Sequence, residues 1–148
     1  LEDVIKDIES IEGKYIIFVD DNLWINKQYA QELFRRMNGL GKIWVSQAPI
    51  TIALDDELLS LAAQSGCRGV YVGIDSVIEE SLRSANKKVV DVTKIPKYIR
   101  RIQDRGIFVE AGVIFGFDNE DASVFERTLE FYDKTSVDSL NLHILTLK

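Results

Sequence analysis

The sequence predicts an α/β fold: a partial TIM-like (βα) barrel of parallel strands that is incomplete in this chain. Two observations predict parallel α/β structure. Five short apolar, β-branched runs alternate with stretches of helical periodicity, and successive runs start roughly 26 to 38 residues apart, about one βαβ unit. That spacing allows a five-stranded doubly wound sheet as readily as part of a barrel. A third observation chooses between them. The chain opens on a helical pattern with no strand before it and stops just after a strand, which reads as a cut through a longer βα repeat.

The expected strands cover residues 15–19, 43–47, 69–74, 107–115 and 139–145. Their runs are nearly all apolar, the pattern of parallel strands covered on both faces. Between them, Val4, Ile8 and Ile11 share one helical face, as do Ala30, Leu33, Phe34 and Met37. Ile95, Tyr98, Ile99 and Ile102 make a third stripe, and Phe125, Thr128, Leu129 and Tyr132 a fourth. Gly39, Gly66 and Gly106 each follow a helical pattern, where a left-handed cap favours glycine. Asp55 and Thr93 stand where N-caps are expected. The whole chain, residues 1–148, reads as a single domain.

Composition narrows the function. Hydrophobic residues make up 46% of the chain and charged residues 28%, the mixture of a sequence that buries a core. No apolar run approaches the roughly 20 residues needed to cross a bilayer. The opening Leu1-Glu2-Asp3-Val4-Ile5-Lys6-Asp7 lacks the basic, apolar, small-residue order of a signal peptide, so the expected location is cytoplasmic with no membrane partner. A net charge of −6, with 18 basic and 24 acidic side chains interspersed, argues against nucleic acid as a partner. A single cysteine, Cys67, cannot build a metal cluster and is expected to be a small buried hydrophobe.

In parallel α/β architectures ligands bind at the carboxyl ends of the strands. Each predicted strand delivers polar groups there. Asp20-Asp21-Asn22 follows the first and Gln47 ends the second. Asp75 and Ser76 follow the third, Gly116 and Glu120 the fourth, and Asn141 and His143 lie in the fifth. These acceptors and amides suit amines, ribose hydroxyls or a metal-bound ligand of a small-molecule site. Such residues also serve as turn formers and helix caps, and Ser76 in particular could simply cap the next helix. Gly112 and Gly116 weaken a strand unless something approaches it closely. His143, a lone strand histidine, reads as a structural group, and Lys87 and Lys88 as a solvated loop pair.

The chain resembles the radical S-adenosylmethionine (SAM) superfamily, in the class often fused to a cobalamin-binding domain. The resemblance rests on Phe18-Val19-Asp20-Asp21-Asn22, Ile43-Trp44-Val45-Ser46-Gln47, Ala63-Gln64-Ser65-Gly66-Cys67, Val72-Gly73-Ile74-Asp75-Ser76 and Gly112-Val113-Ile114-Phe115-Gly116-Phe117. It implies that these strands are the second to sixth of the family's barrel, the C-terminal five βα units of its core. It implies that Asp20, Asp21 and Asn22 face the amino group of SAM, and that Asp75 and Ser76 face its ribose and carboxylate. Gly112, Gly116 and Glu120 would pass the adenine, with Gln47 facing SAM or substrate.

The implied activity is that of a radical SAM oxidoreductase or methyltransferase, in which a [4Fe–4S] cluster cleaves SAM to a 5′-deoxyadenosyl radical; cobalamin is a possible further cofactor of the parent. The family's Cys-x3-Cys-x2-Cys motif is absent here, so no catalytic residue and no cluster ligand is expected in this chain, which alone would be inactive. Relatives usually have Glu where Asp75 stands, and often Pro-Gly where this chain has Asp118-Asn119. The expected partners are a small-molecule substrate, the missing N-terminal part of the same protein, and a second copy through exposed sheet edges. Two other readings remain: a response-regulator receiver module with Asp75 as phospho-acceptor, and a ligand-free interaction scaffold.

Overall fold

Five parallel strands, β1 (Tyr15–Phe18), β2 (Ile43–Gln47), β3 (Cys67–Asp75), β4 (Phe108–Phe115) and β5 (Ser139–Ile144), lie side by side in the order in which they occur in the chain. The structure is a computed structural model and describes residues 1–84 and 91–146; Lys87 and Lys88 fall outside the described residues. Among the described residues six α-helices are interleaved with the strands: α1 (Glu2–Ser10), α2 (Lys27–Met37), α3 (Asp56–Gln64), α4 (Glu79–Ser84), α5 (Ile95–Gln103) and α6 (Ser123–Thr135). Short 3-10 turns cover Ile50–Leu54 and Val92–Lys94.

The strand order decides the architecture. Right-handed crossovers that always step in the same direction put every helix on one face and leave the other open, the arrangement of an opened βα barrel. A receiver-type doubly wound sheet reverses direction and places its second strand outside the first. Here β1 is an edge strand with β2 as its only neighbour among the described residues, so the receiver reading does not hold.

Burial follows the same division. The helix-facing positions Trp44, Ser46, Val70, Val72, Ile74, Val109, Ala111 and Val113 are buried. On the opposite face Tyr15 and Ile17 are 76% and 72% exposed, and Val19 is exposed beyond them. The expectation that both faces are covered is therefore corrected. Each face of β1 carries one isoleucine and one aromatic residue, Tyr15 and Ile17 on the open side and Ile16 and Phe18 on the packed side, which hides the alternation from the sequence.

The core beneath β1 and β2 is aromatic. Trp44 packs edge-on against Phe18 at 5.4 Å between ring centroids and stacks on Phe34 at 5.0 Å, while Trp24 meets Phe34 at 5.0 Å. Both indole N–H groups are satisfied: Trp44 Nε1 donates to Ser65 Oγ at 3.1 Å, and Trp24 Nε1 to Ser46 Oγ at 3.0 Å. These bonds fix β2 between α2, α3 and the loop after β1.

Helix stripes follow the sequence with two exceptions. α2 buries Ala30, Leu33, Phe34 and Met37, and α5 buries Ile95, Ile99 and Ile102. α1 buries Ile5 and Ile8, and the chain turns out of the helix before Ile11. In α6 the buried stripe is Val124, Thr128, Phe131 and Thr135, rotated by one residue from the predicted set. Thr128 and Thr135 can lie inside because each hydroxyl donates to the carbonyl four residues back at 2.8 Å, and Phe125 packs outside on Phe115.

Gly39, Gly66 and Gly106 all take positive φ. At Gly66 the requirement is double, because a Cβ would lie 2.0 Å from the Lys42 carbonyl oxygen. Asp55 caps α3 by accepting from the Leu58 N–H at 3.1 Å. Thr93 is not a cap: Asp91 accepts from the Thr93 N–H at 3.1 Å, and α5 starts two residues later with Pro96 in its first turn.

Candidate functional site

Because the strands are parallel, their carboxyl ends form one edge, and the predicted polar residues collect along it. After β1 the chain turns sharply. Asn22 Oδ1 accepts from the Trp24 N–H at 3.1 Å, and the Trp24 indole is held in the core by Ser46, so the turn is anchored from below. Asp20 and Asp21 stand exposed on it. Gln47 is exposed at the end of β2, where the Ala48 N–H donates to the Tyr71 carbonyl at 2.9 Å and holds the departing chain against β3.

At the end of β3 the backbone is strained. Asp75 has φ +65°, and the Ser76 N–H donates to the Ile74 carbonyl at 2.9 Å, closing a three-residue turn about Asp75. A non-glycine residue in that region costs about 1–3 kcal/mol and persists where its surroundings determine it. The surroundings here are a carboxylate clamp. Glu120 Oε1 accepts from Ser76 Oγ at 3.0 Å and Ser81 Oγ at 3.1 Å. Its Oε2 accepts from the backbone N–H of Gly116 at 3.0 Å and of Phe117 at 3.3 Å.

Ser76 and Ser81 are fully buried, and Ser76 Oγ also accepts from the Ile78 N–H at 3.1 Å. Ser76 and Glu120 are thus joined to each other, tying the loop after β3 to the loop after β4. The strained corner and the glycine turn at Gly116, φ +104°, are fixed together.

Below this rim, the open face of the sheet carries a second polar level, in which sequence reasoning named Gln47, Asn141 and His143 but missed Tyr71 and Glu110. Gln47, Tyr71, Glu110 and Ser139 are successive register partners across β2, β3, β4 and β5. One level up, Gly73, Gly112 and Asn141 are partners. The Tyr71 ring lies over Gly112, where a Cβ would stand 1.9 Å from its hydroxyl oxygen, and the hydroxyl reaches His143 Nε2 at 3.3 Å. The close approach that Gly112 permits is therefore that of a tyrosine of its own sheet.

Burial, then the nearby carboxylates of Asp75 and Glu110, push the Tyr71 hydroxyl pKa above its usual value. A cavity of about 420 Å³ opens on this face, lined by Ile17, Val45, Gln47, Tyr71, Phe108 and Glu110 among others. The sequence did hold a signal for this level: Glu110 is a charge between Val109 and Ala111 in the middle of an apolar strand.

Cys67 is fully buried on β3, and burial pushes its thiol up to about 12, as expected for a packing residue. Among the described residues no group of three His, Cys, Asp or Glu side chains could hold a metal ion, and no helix is long and apolar enough to cross a membrane.

No family model matches the chain. Known relatives are nevertheless found along most of its length. It is 26% identical over 129 residues to bacteriochlorophyllide d C-12(1)-methyltransferase of Chlorobaculum tepidum, a match covering 87% of this chain and 28% of the relative. It is 28% identical over 121 residues to cytidylyl-2-hydroxyethylphosphonate methyltransferase of Streptomyces wedmorensis, covering 78% of this chain and 23% of the relative. The chain thus spans about a quarter of the length of the curated relatives it matches.

Among solved structures, the radical SAM methyltransferase TsrM of Kitasatospora setae, with cobalamin and a [4Fe–4S] cluster bound, superposes with a TM-score of 0.81 at 16% identity. That match covers 97% of this chain and 30% of TsrM. Sequence relatives and fold agree with the resemblance drawn from the motifs at the strand ends: the chain is similar along most of its length to methyltransferases, and its five consecutive parallel strands share the fold of part of the TsrM barrel.

Proposed function

We propose that residues 1–148 are the C-terminal five βα units of a radical SAM core and form the wall on which SAM and substrate rest in a longer enzyme, a methyltransferase or a related oxidoreductase. The observation that carries this reading is the alignment of Asp20, Asp21, Asn22, Gln47, Asp75 and Gly116 along the carboxyl edge of a sheet that superposes on TsrM. TsrM has also been solved with tryptophan and a SAM analogue bound.

The donor set here suits SAM. Exposed carboxylates at Asp20 and Asp21 match a cationic amino group and sulfonium, and the Gly116 turn leaves its backbone open to a flat ring. When bound beside a reduced iron–sulfur cluster, SAM supplies the radical chemistry of the superfamily. The cluster does not fit the residues present: the one cysteine is buried and held protonated. Its ligands belong to another part of the parent, and this chain alone is inactive.

The roles of the rim residues differ. Asp20, Asp21, Asn22, Gln47 and Asp75 present side chains to ligand, Gly116 allows close approach, and Gly112 makes room for the Tyr71 ring. Ser76 and Glu120 act through the clamp, holding the Asp75 corner and the Gly116 turn at a fixed spacing. In the full-length parent, Asp21→Ala and Asp75→Ala should each lower release of 5′-deoxyadenosine by about ten-fold or more, the loss expected when a positioning contact is removed. Unchanged release in both variants would sink the assignment. The unpaired outer edges of β1 and β5 also favour self-association of the isolated chain, which sedimentation at high concentration would detect.

A further inference from the structure

On the open face of β3, Tyr71 stands between two glycines. Gly69 and Gly73 lie two residues to either side of it, share its face and carry no side chain, so its own strand obstructs the ring in neither direction. The ring leans toward the carboxyl rim and across β4. Its register partner there is Glu110, yet its hydroxyl lies over Gly112, two residues farther on, where a Cβ would stand 1.9 Å from the hydroxyl oxygen and 2.6 Å from Cζ. The hydroxyl then meets His143 Nε2 on β5 at 3.3 Å, so the ring is given room by a glycine and held at its tip by a histidine.

This lean leaves space behind it. The cavity of about 420 Å³ covers two levels of the sheet, Val45, Gly69 and Phe108 in one and Gln47, Tyr71 and Glu110 in the next. Aliphatic and aromatic side chains make most of its wall. Gly69 keeps its floor low, since a Cβ there would stand 3.1 Å from Val45 Cγ1. Neither Gly112 nor His143 lines it.

We propose that Tyr71 is the specificity-determining residue of this face: leaning over Gly112 it keeps the cavity open to an apolar part of the substrate, and turned back over Gly69 it fills the same space. Gly112 and His143 set that choice from outside the cavity, the first by leaving the ring a place to lie and the second by holding its hydroxyl. A larger residue at position 112 therefore narrows the cavity without touching the ligand. The inference rests on the reading that the open face holds substrate beside SAM.

The test is a titration of the 148-residue chain with 3-methylindole, an apolar probe without charge, followed in the probe's own NMR signals. The wild type should bind it saturably. Gly112→Ala should weaken binding at least about five-fold, because a methyl at that point displaces the ring toward the cavity. The same substitution in a Tyr71→Ala background, where no ring remains to displace, should change affinity by less than about two-fold. Binding by that double variant also separates a blocked cavity from a misfolded chain. His143→Ala adds no volume and frees only the hydroxyl; it should weaken the probe by about two-fold to five-fold, and only while Tyr71 is present. Unchanged affinity in Gly112→Ala, an equal loss with and without Tyr71, or no saturable binding to the wild type overturns the proposal. The radical reading itself fails on another measurement, 5′-deoxyadenosine release by the parent, so the two can fail separately.

Discussion

The two faces of this sheet are built from the same strands on opposite terms. The helix side is dry and close-packed, with Trp44, Val72, Val109 and Val113 at or near zero exposure. The open side carries exposed aliphatics, a tyrosine held to a histidine, and a glutamate without a partner among the described residues. One face specifies the fold, and the other is free to specify chemistry. Residues two apart on a strand share a face, so a single strand answers both demands without conflict.

Substitutions on the packed face should be the most costly. Trp44→Ala removes the hub of the aromatic cluster and should destabilise the chain by about 3–5 kcal/mol in urea unfolding. Glu120→Ala removes one acceptor group that serves four donors, and should cost about 2–3 kcal/mol because buried Ser76 and Ser81 lose partners. It should also raise hydrogen exchange at Gly116 and Phe117 selectively.

The packed face also makes stability depend on alkaline pH through Cys67. Its folded pKa is raised to about 12 by burial, against about 8.5 in an unfolded chain. The unfolded state therefore loses the thiol proton first. Stability that is complete below about pH 8.5 falls as pH rises toward the folded value. Cys67→Ala should remove this part of the alkaline slope. In the native wild type at pH 8, a thiol reagent should label Cys67 only at the rate of unfolding.

On the open face the effects are smaller and more specific. Gly112→Ala puts a methyl where the Tyr71 hydroxyl lies. The ring can swing toward the cavity, so the expected cost is about 1 kcal/mol, with a displaced His143 signal as its signature. Ile17→Ser, at a position 72% exposed, should change stability by no more than about 0.5 kcal/mol. A loss near that of Trp44→Ala would mean that the open face is packed in the isolated chain.

Much of the fold was legible because its signals are local. Strand spacing, the α2 stripe and the glycines after helices are written in neighbouring residues, and β2 falls on the predicted 43–47. The α6 stripe was misplaced because Phe125, Leu129 and Tyr132 offer a second apolar periodicity, and only packing chooses between it and Val124, Thr128 and Phe131. The rim residues could be named from the strand ends. The clamp and the Tyr71–His143 contact could not, since Ser76 and Glu120 lie 44 residues apart and Tyr71 and His143 lie 72 apart. Such meetings depend on register, which a single sequence leaves open.

The strictly sequential strand order also bears on how the sheet can assemble. Each strand after the first docks beside the one made just before it, so no segment has to wait for a distant partner and each finished βα unit is a template for the next. A doubly wound sheet must reverse direction partway through this process. An architecture that grows in one direction can be lengthened, or divided between units and rejoined by complementation, without rewiring the pairs already formed.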